Sequence, residues 1–296
     1  MKKIFIKLAM LMVIPTILLG CGSSSDKGSD KKKSGKIQVM VSISPLKEFA
    51  EKVGGDKVDV ESLVPDNMEA HDFELKTRDV ENVMNEDLFI YNGAGMEDWL
   101  EQLEETASGS EVKFIDSSEN SDIIQVNNKQ DPHLWLSLIE AQNQCKTIME
   151  ALCDIDKDNS SYYKDNYNKY AEELQELYSE YSDKFKNVTT KDFITGHEAF
   201  GYLCRDFGLE QKSLTDLFGE GEATAKTYKE LADYCKKNNI KTIFSESSES
   251  SEEAKTLANE IDGKVEEIYS LESSVKGKNY IEAMRFNLDK IYSSLK

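Results

Sequence analysis

The sequence predicts an α/β protein: two α/β lobes with parallel-type sheets, joined by one long rigid helix. Three observations lead there. Short β-type runs alternate with amphipathic helical stretches in both halves of the chain, the pattern of parallel sheets. Between the halves, Ser160 to Asn187 contains no proline or glycine and repeats large apolar residues at helical spacing. The chain has only three histidines, His71, His133 and His197, and each follows a short β-type run where a loop or helix begins.

Taken in order, Lys36 to Ser44 reads as a strand and Leu46 to Val53 as a helix. Val58 to Val64 is a strand that ends at Pro65. Asp87 to Tyr91 is a strand, followed by Asn92-Gly93-Ala94-Gly95 and a helix that carries Trp99 and Leu100. Val112 to Ile115 is the next strand, and Asp131-Pro132-His133 leads into a helix from Ser137 to Cys153. Tyr163, Tyr167, Tyr170, Leu174, Leu177, Tyr181 and Phe185 then recur every three or four residues, which marks one amphipathic helix. At 1.5 Å per residue it runs roughly 40 Å. Its five aromatics suit packing along a globular body better than a projecting coiled-coil arm. Beyond it, Asp192 to Thr195 is a strand, Glu198 to Phe207 a helix, Ala223 to Lys237 a helix, and Thr242 to Ser245 a strand. Glu252 to Asp262 is a helix, Lys264 to Tyr269 a strand, and a final helix carries Ile281, Met284, Leu288, Ile291 and Leu295. The halves share a layout but no detectable sequence repeat.

The N-terminus reads as an address. Lys2, Lys3 and Lys7 precede an apolar stretch, Leu8 to Leu19, too short for the ~20 residues of a membrane span. Leu18-Leu19-Gly20-Cys21 resembles the bacterial lipobox, which implies cleavage before Cys21 and lipid on its new N-terminus. Gly22 to Lys36 contains only Gly, Ser, Asp and Lys and reads as a flexible tether with a reach on the order of 20 Å. The expected organisation is a signal peptide over 1–20, a tether over 21–36, a first lobe over 37–157, the linking helix over 158–188 and a second lobe over 189–296. The protein is thus expected on the outer face of a bacterial cell membrane, held by lipid.

The chain has 36 basic and 56 acidic residues, and removing the three leader lysines takes the formal charge from −20 to −23. That excludes a cationic nucleic-acid footprint. A negative field concentrates cations, though acidity alone also keeps an exported protein soluble. Cys145 and Cys153 lie about 12 Å apart along one helix, too far to bridge. Buried free thiols are the favoured reading, and a Cys204–Cys235 bridge stays open. No Cys-x-x-Cys pair supports a thiolate zinc site.

Neutral imidazole is the commonest protein ligand for transition metals, so three histidines at strand ends raise a metal site. Ligands of open α/β sheets bind beyond the carboxyl ends of the strands. His71 follows the Val58–Val64 strand, His197 the Asp192–Thr195 strand, and His133 opens its helix. Glu272 follows the Lys264–Tyr269 strand, while Glu246 sits at a rival strand end. A cleft between the lobes could gather the three histidines with either glutamate.

Several motifs in order are similar to the metal-binding lipoproteins of bacterial ABC importers for zinc and manganese. The similarity covers nearly all of residues 37–296. Val41-Ser42-Ile43-Ser44-Pro45-Leu46 with Val53-Gly54-Gly55-Asp56 resembles their first strand and helix. Asn92 to Leu100 looks like their turn after a central strand. Asp131-Pro132-His133-Leu134-Trp135 and Gly196-His197-Glu198-Ala199-Phe200-Gly201-Tyr202 resemble the motifs of their second and third ligands. Tyr280 to Leu288 resembles their last helix. The resemblance implies a metal between two lobes, with His71, His133, His197 and Glu272 as ligands. Histidine at the third position resembles the zinc members, and three imidazoles with one carboxylate suit zinc. Two features depart from the family. Met68-Glu69-Ala70 precedes His71 instead of the usual glycine, acid and proline, and Ser117 to Gln130 holds no histidine-rich loop.

The implied function is capture of Zn(II) outside the membrane and delivery to an ABC permease driven by a cytoplasmic ATPase. The protein is expected as a monomer that is not an enzyme. The alternatives are a manganese- or iron-binding importer subunit, a zinc hydrolase with Glu198 or Glu74 as general base, and a surface adhesin. Gly93-x-Gly95 lacks the third glycine of a dinucleotide fingerprint, and no phosphate loop is present. The histidines lie 62 and 64 residues apart, which excludes a zinc-protease helix motif.

Overall fold

β1 (Ile37–Val41) is buried along almost its whole length, as a central parallel strand must be. α1 (Ser44–Gly54), β2 (Val58–Ser62), α2 (Thr77–Val83), β3 (Leu88–Tyr91), α3 (Leu100–Ala107) and β4 (Lys113–Asp116) follow it. The four strands form one parallel sheet in the order β2-β1-β3-β4. A small hairpin comes next, β5 (Gln125–Val126) and β6 (Lys129–Gln130). Its turn residues, Asn127 and Asn128, have φ of 52° and 66°, the left-handed pair that a tight two-residue hairpin needs and that asparagine tolerates. Two long helices close this half, α4 (Leu138–Ile155) and α5 (Ser160–Phe185).

The second half repeats the scheme with β7 (Asp192–Thr195), α6 (Gly201–Phe207), β8 (Glu210–Ser213), α7 (Ala225–Asn238) and β9 (Thr242–Glu246). It ends with α8 (Glu252–Glu260), β10 (Lys264–Ile268) and α9 (Tyr280–Ser294). Its sheet is also parallel, ordered β10-β9-β7-β8. Reversed, that order is the order of the first sheet, so the lobes share a topology that their sequences do not display. This computed structural model describes residues 35–66, 68, 70–219, 224–246 and 252–296. The leader, Cys21 and the tether up to residue 34 lie outside the described residues. Those from Gly35 on belong to one compact unit. Among the described residues no helix is long and apolar enough to cross a membrane.

The expected long helix is 26 residues of α5, about 39 Å at 1.5 Å per residue. It buries Tyr163, Tyr170, Leu174, Leu177, Tyr181 and Phe185 as one stripe. The stripe reaches into both lobes. Tyr170 packs on Phe49 of α1, and Phe185 packs on Phe207 of α6 and Tyr292 of α9. One apolar cluster runs from β1 and α1 through α4 and α5 to Phe193, Phe244 and α9, so the lobes share a core. Full burial of each such side chain contributes about 1.5–3 kcal/mol, which is why this spine is stiff.

Local differences from the sequence reading have physical causes. β8 is polar and lies at the sheet edge, so no hydrophobic pattern marks it. The helix expected from Glu198 begins at Gly201, because Glu198 N–H donates to the Asp216 carbonyl and Phe200 N–H to Gln211 Oε1. Those bonds hold residues 196–200 out of the helix. His133 does not open a helix directly. A single 3-10 turn, Leu134–Leu136, intervenes before Ser137 caps α4 by accepting from Ile139 and Glu140 N–H. Cys204 and Cys235 are free thiols in separate apolar clusters, which closes the question of a bridge.

Candidate metal centre

Four chain segments meet between the lobes. His71 lies in a 3-10 turn, Ala70–Asp72, beyond β2. His133 follows Asp131-Pro132 and is fully buried. His197 follows β7, its carbonyl held by Thr195 Oγ1 at 2.7 Å and Gln211 Nε2 at 2.8 Å. Glu272 lies beyond β10 and is buried. Its Oε2 accepts from Ala70 N–H at 3.3 Å, so the second-lobe carboxylate is fastened to the residue before His71. Trp135 Nε1–H donates to the Ser270 carbonyl at 2.7 Å, which ties the His133 segment to the Glu272 segment. Leu271, immediately before Glu272, has φ of 62°. A leucine there costs of order 1–2 kcal/mol and persists only where the surroundings impose it.

The His71 and His197 rings each bring Nε2 to His133 Nε2. His133 Nε2 lies 3.5 Å from His71 Nε2 and 3.3 Å from His197 Nε2. One donor atom each from His71, His133 and Glu272 falls within a 4.8 Å group. His197 joins through its contact with His133. Nitrogens bound about 2.0–2.1 Å from one tetrahedral zinc stand about 3.3–3.4 Å apart, so these separations are those of neighbouring vertices.

A carboxylate lies beside Nδ1 of two of the rings, and at His133 it fixes the tautomer. Asp131 Oδ1 lies 2.9 Å from His133 Nδ1 and also accepts the His133 backbone N–H at 3.0 Å. Glu246 Oε1 lies 2.7 Å from His197 Nδ1. The Asp131 carboxylate keeps the His133 proton on Nδ1 and leaves His133 Nε2 a lone pair facing His71 and His197. Burial, then His197, holds His133 well below the usual imidazole range, so it stays a neutral ligand into mild acid. Burial pushes Asp131 up to about 7 against the opposing pull of the His133 N–H, His197 and Arg205.

Three of the sequence candidates, His71, His133 and Glu272, therefore form one group, His197 reaches it through His133 alone, and Glu246 stands on the Nδ1 side of His197. The β7/β9 pairing explains the placement. Glu246 ends β9, next to β7 whose end carries His197, at the point where the strand order reverses. Asp131 stands two residues before His133 in the Asp-Pro-His motif, and its sequence signal is that i, i+2 spacing of a short acceptor before a backbone N–H. Glu74 is exposed, and Glu198 is half-buried with its carboxyl raised by burial and by Asp131.

Residues 39–294 match the family described as zinc-uptake complex component A, periplasmic. The chain belongs to the ZnuA family. It is 35% identical to the high-affinity zinc uptake system protein ZnuA of Bacillus subtilis, over 98% of each chain. A solved ZnuA deletion mutant with zinc bound superposes with a TM-score of 0.80 at 30% identity, covering 88% of this chain and 98% of that one. The laminin-binding protein Lmb of Streptococcus agalactiae, titled bifunctional with adhesin and metal transporting activity, gives 0.84 at 30% identity, covering 88% and 100%. The expected class, an extracytoplasmic binding component of zinc uptake with two α/β lobes, is borne out by this membership. ZnuA-family chains are metal-binding transport components, which sets the present chain apart from the hydrolase reading at the level of family.

Proposed function

We propose that the chain captures one Zn(II) between its lobes through His71, His133, His197 and Glu272 and delivers it to an ABC permease powered by a cytoplasmic ATPase. The observation that supports this reading is His133 Nε2 standing at the spacing of neighbouring tetrahedral vertices from both His71 Nε2 and His197 Nε2, with the buried Glu272 carboxylate grouped with His71 and His133. Three borderline nitrogen donors and one oxygen favour zinc over manganese, which prefers more oxygen. A fourth protein ligand closes the shell, as suits a carrier; a hydrolase needs that position open for water. Lipid on Cys21 would hold the carrier, a monomer, near the permease. Its domain limits follow the sequence reading, with the linking helix between lobes over 37–157 and 189–296. Adhesion has weaker support in the chain itself. Among the described residues the large apolar side chains exposed by a third or more, Met84, Tyr162 and Val265, sit apart on different elements.

Competitive zinc and manganese titration of residues 22–296 tests the proposal, with wild type set against Glu272→Ala and His197→Ala. One tight zinc site weakened by both substitutions, with manganese far weaker, is expected. Tight zinc binding indifferent to Glu272→Ala would leave an open three-histidine site and revive the hydrolase.

A further inference from the structure

His71 is half-buried, as His197 is, where His133 and Glu272 are buried. What covers it comes from the other lobe. The Phe218 ring meets the His71 ring edge-to-face, centroids 5.3 Å apart at 85°. Over Phe218 lies the Lys129 ammonium, 4.6 Å from the ring centroid. Lys129 belongs to the β5–β6 hairpin, on the His71 side of the chain's long helix. A second-lobe aromatic is therefore held between two first-lobe groups, directly beside the ion site.

The local sequence builds this arm. Asp216-Leu217-Phe218-Gly219 is a tight turn, with Gly219 N–H donating to the Asp216 carbonyl at 3.2 Å and Phe218 N–H to Asp216 Oδ1 at 3.1 Å. Gly219 supplies the positive φ, 67°, that the turn requires. Leu214 and Leu217 are buried and root the turn in its own lobe. The Asp216 carbonyl also takes the Glu198 N–H at 3.2 Å, so the arm is tied to the residue after His197. Anchored on the His197 side, it lays its one aromatic ring on His71.

We propose that Phe218, latched by Lys129, is the shutter of the ion site: it covers the His71 face and sets how fast zinc leaves. The inference rests on zinc occupying the four-residue site. An ion leaving past this half-buried ligand must let the His71 ring turn, and the edge-to-face contact with Phe218 opposes that. The ammonium over the ring strengthens the seat of Phe218 by a cation–π attraction.

The test is stopped-flow release of zinc from the loaded chain into excess chelator, beside an equilibrium zinc titration. Phe218→Ala is expected to release zinc about three- to tenfold faster, the size an edge-to-face ring contact supports. Phe218→Leu, which keeps an apolar cover, should fall between it and wild type. Lys129→Met keeps the stem, removes the charge and should give a smaller increase. That increase should vanish in the Phe218→Ala background, a coupling that mere structural damage would not produce. An unchanged release rate in Phe218→Ala, or additive effects of the two substitutions, overturns the shutter while leaving the four-ligand reading intact. Absence of zinc binding by the unaltered chain overturns both.

Discussion

Glu246 is the residue at which ligand and supporting partner can be told apart. Its carboxylate sits 2.7 Å from His197 Nδ1, and the pair is nearly withdrawn from water, the side chains being 9% and 11% exposed. Its contribution to metal affinity comes through the imidazole, whose basicity the adjacent negative charge raises. Outer partners of this kind are worth roughly 10–100-fold in affinity, or about 1.4–2.8 kcal/mol. Glu246→Ala should therefore weaken zinc within that range. Glu246→Gln keeps the side chain's size and its polar oxygen and loses only the charge, so it should cost less than Glu246→Ala. Glu272→Ala, which removes a proposed ligand, should cost more than either. Competition against a chromophoric zinc chelator at constant pH and salt reads all three. A Glu246→Ala loss as deep as that of Glu272→Ala, with Glu246→Gln no better, would refute the assignment and make Glu246 a ligand.

Arg205 of α6 holds Glu140 of α4 at 2.6 Å across the lobes, and Glu140 is 1% exposed. With the Arg205 side chain 30% exposed, Arg205→Met should lower unfolding stability by about 2–3 kcal/mol in urea, and a loss under about 0.5 kcal/mol would discount the clasp. Leu271 at φ 62° inverts the usual glycine penalty: Leu271→Gly should be about 1 kcal/mol more stable than Leu271→Ala by thermal unfolding, and the reverse order would deny the strain. The shared core along α5 predicts equal hydrogen-exchange protection over Ser160–Phe185 with and without zinc, with changes confined to loops. Broad deprotection of that helix on metal removal would contradict a rigid spine.

Periodicity made the helices and central strands legible. The α5 stripe from Tyr163 to Phe185 could be read residue by residue, because burying one face of a helix leaves a regular trace. β8 and the β5–β6 hairpin left none, since an edge strand and a two-residue turn bury too little to constrain composition. The four proposed ligands were visible as rare or well-placed residues at strand ends. Their supporting partners were not. Glu246 and Glu272 look alike in sequence, and only the β9–β7 pairing places Glu246 behind the His197 ring. Phe218 carries no sequence signal for a site, because its role arises from a turn in one lobe reaching a histidine in the other.

The central claim is a closed four-ligand zinc site, and anomalous diffraction at the zinc edge from crystals of the loaded chain tests it most directly. The account predicts one peak bonded to Nε2 of His71, His133 and His197 at about 2.0–2.1 Å and to the Glu272 carboxylate at about 2.0–2.2 Å. Asp131 and Glu246 should remain on the Nδ1 atoms behind their rings. A peak bonded to Glu246, or one with water in the place of Glu272, would contradict it.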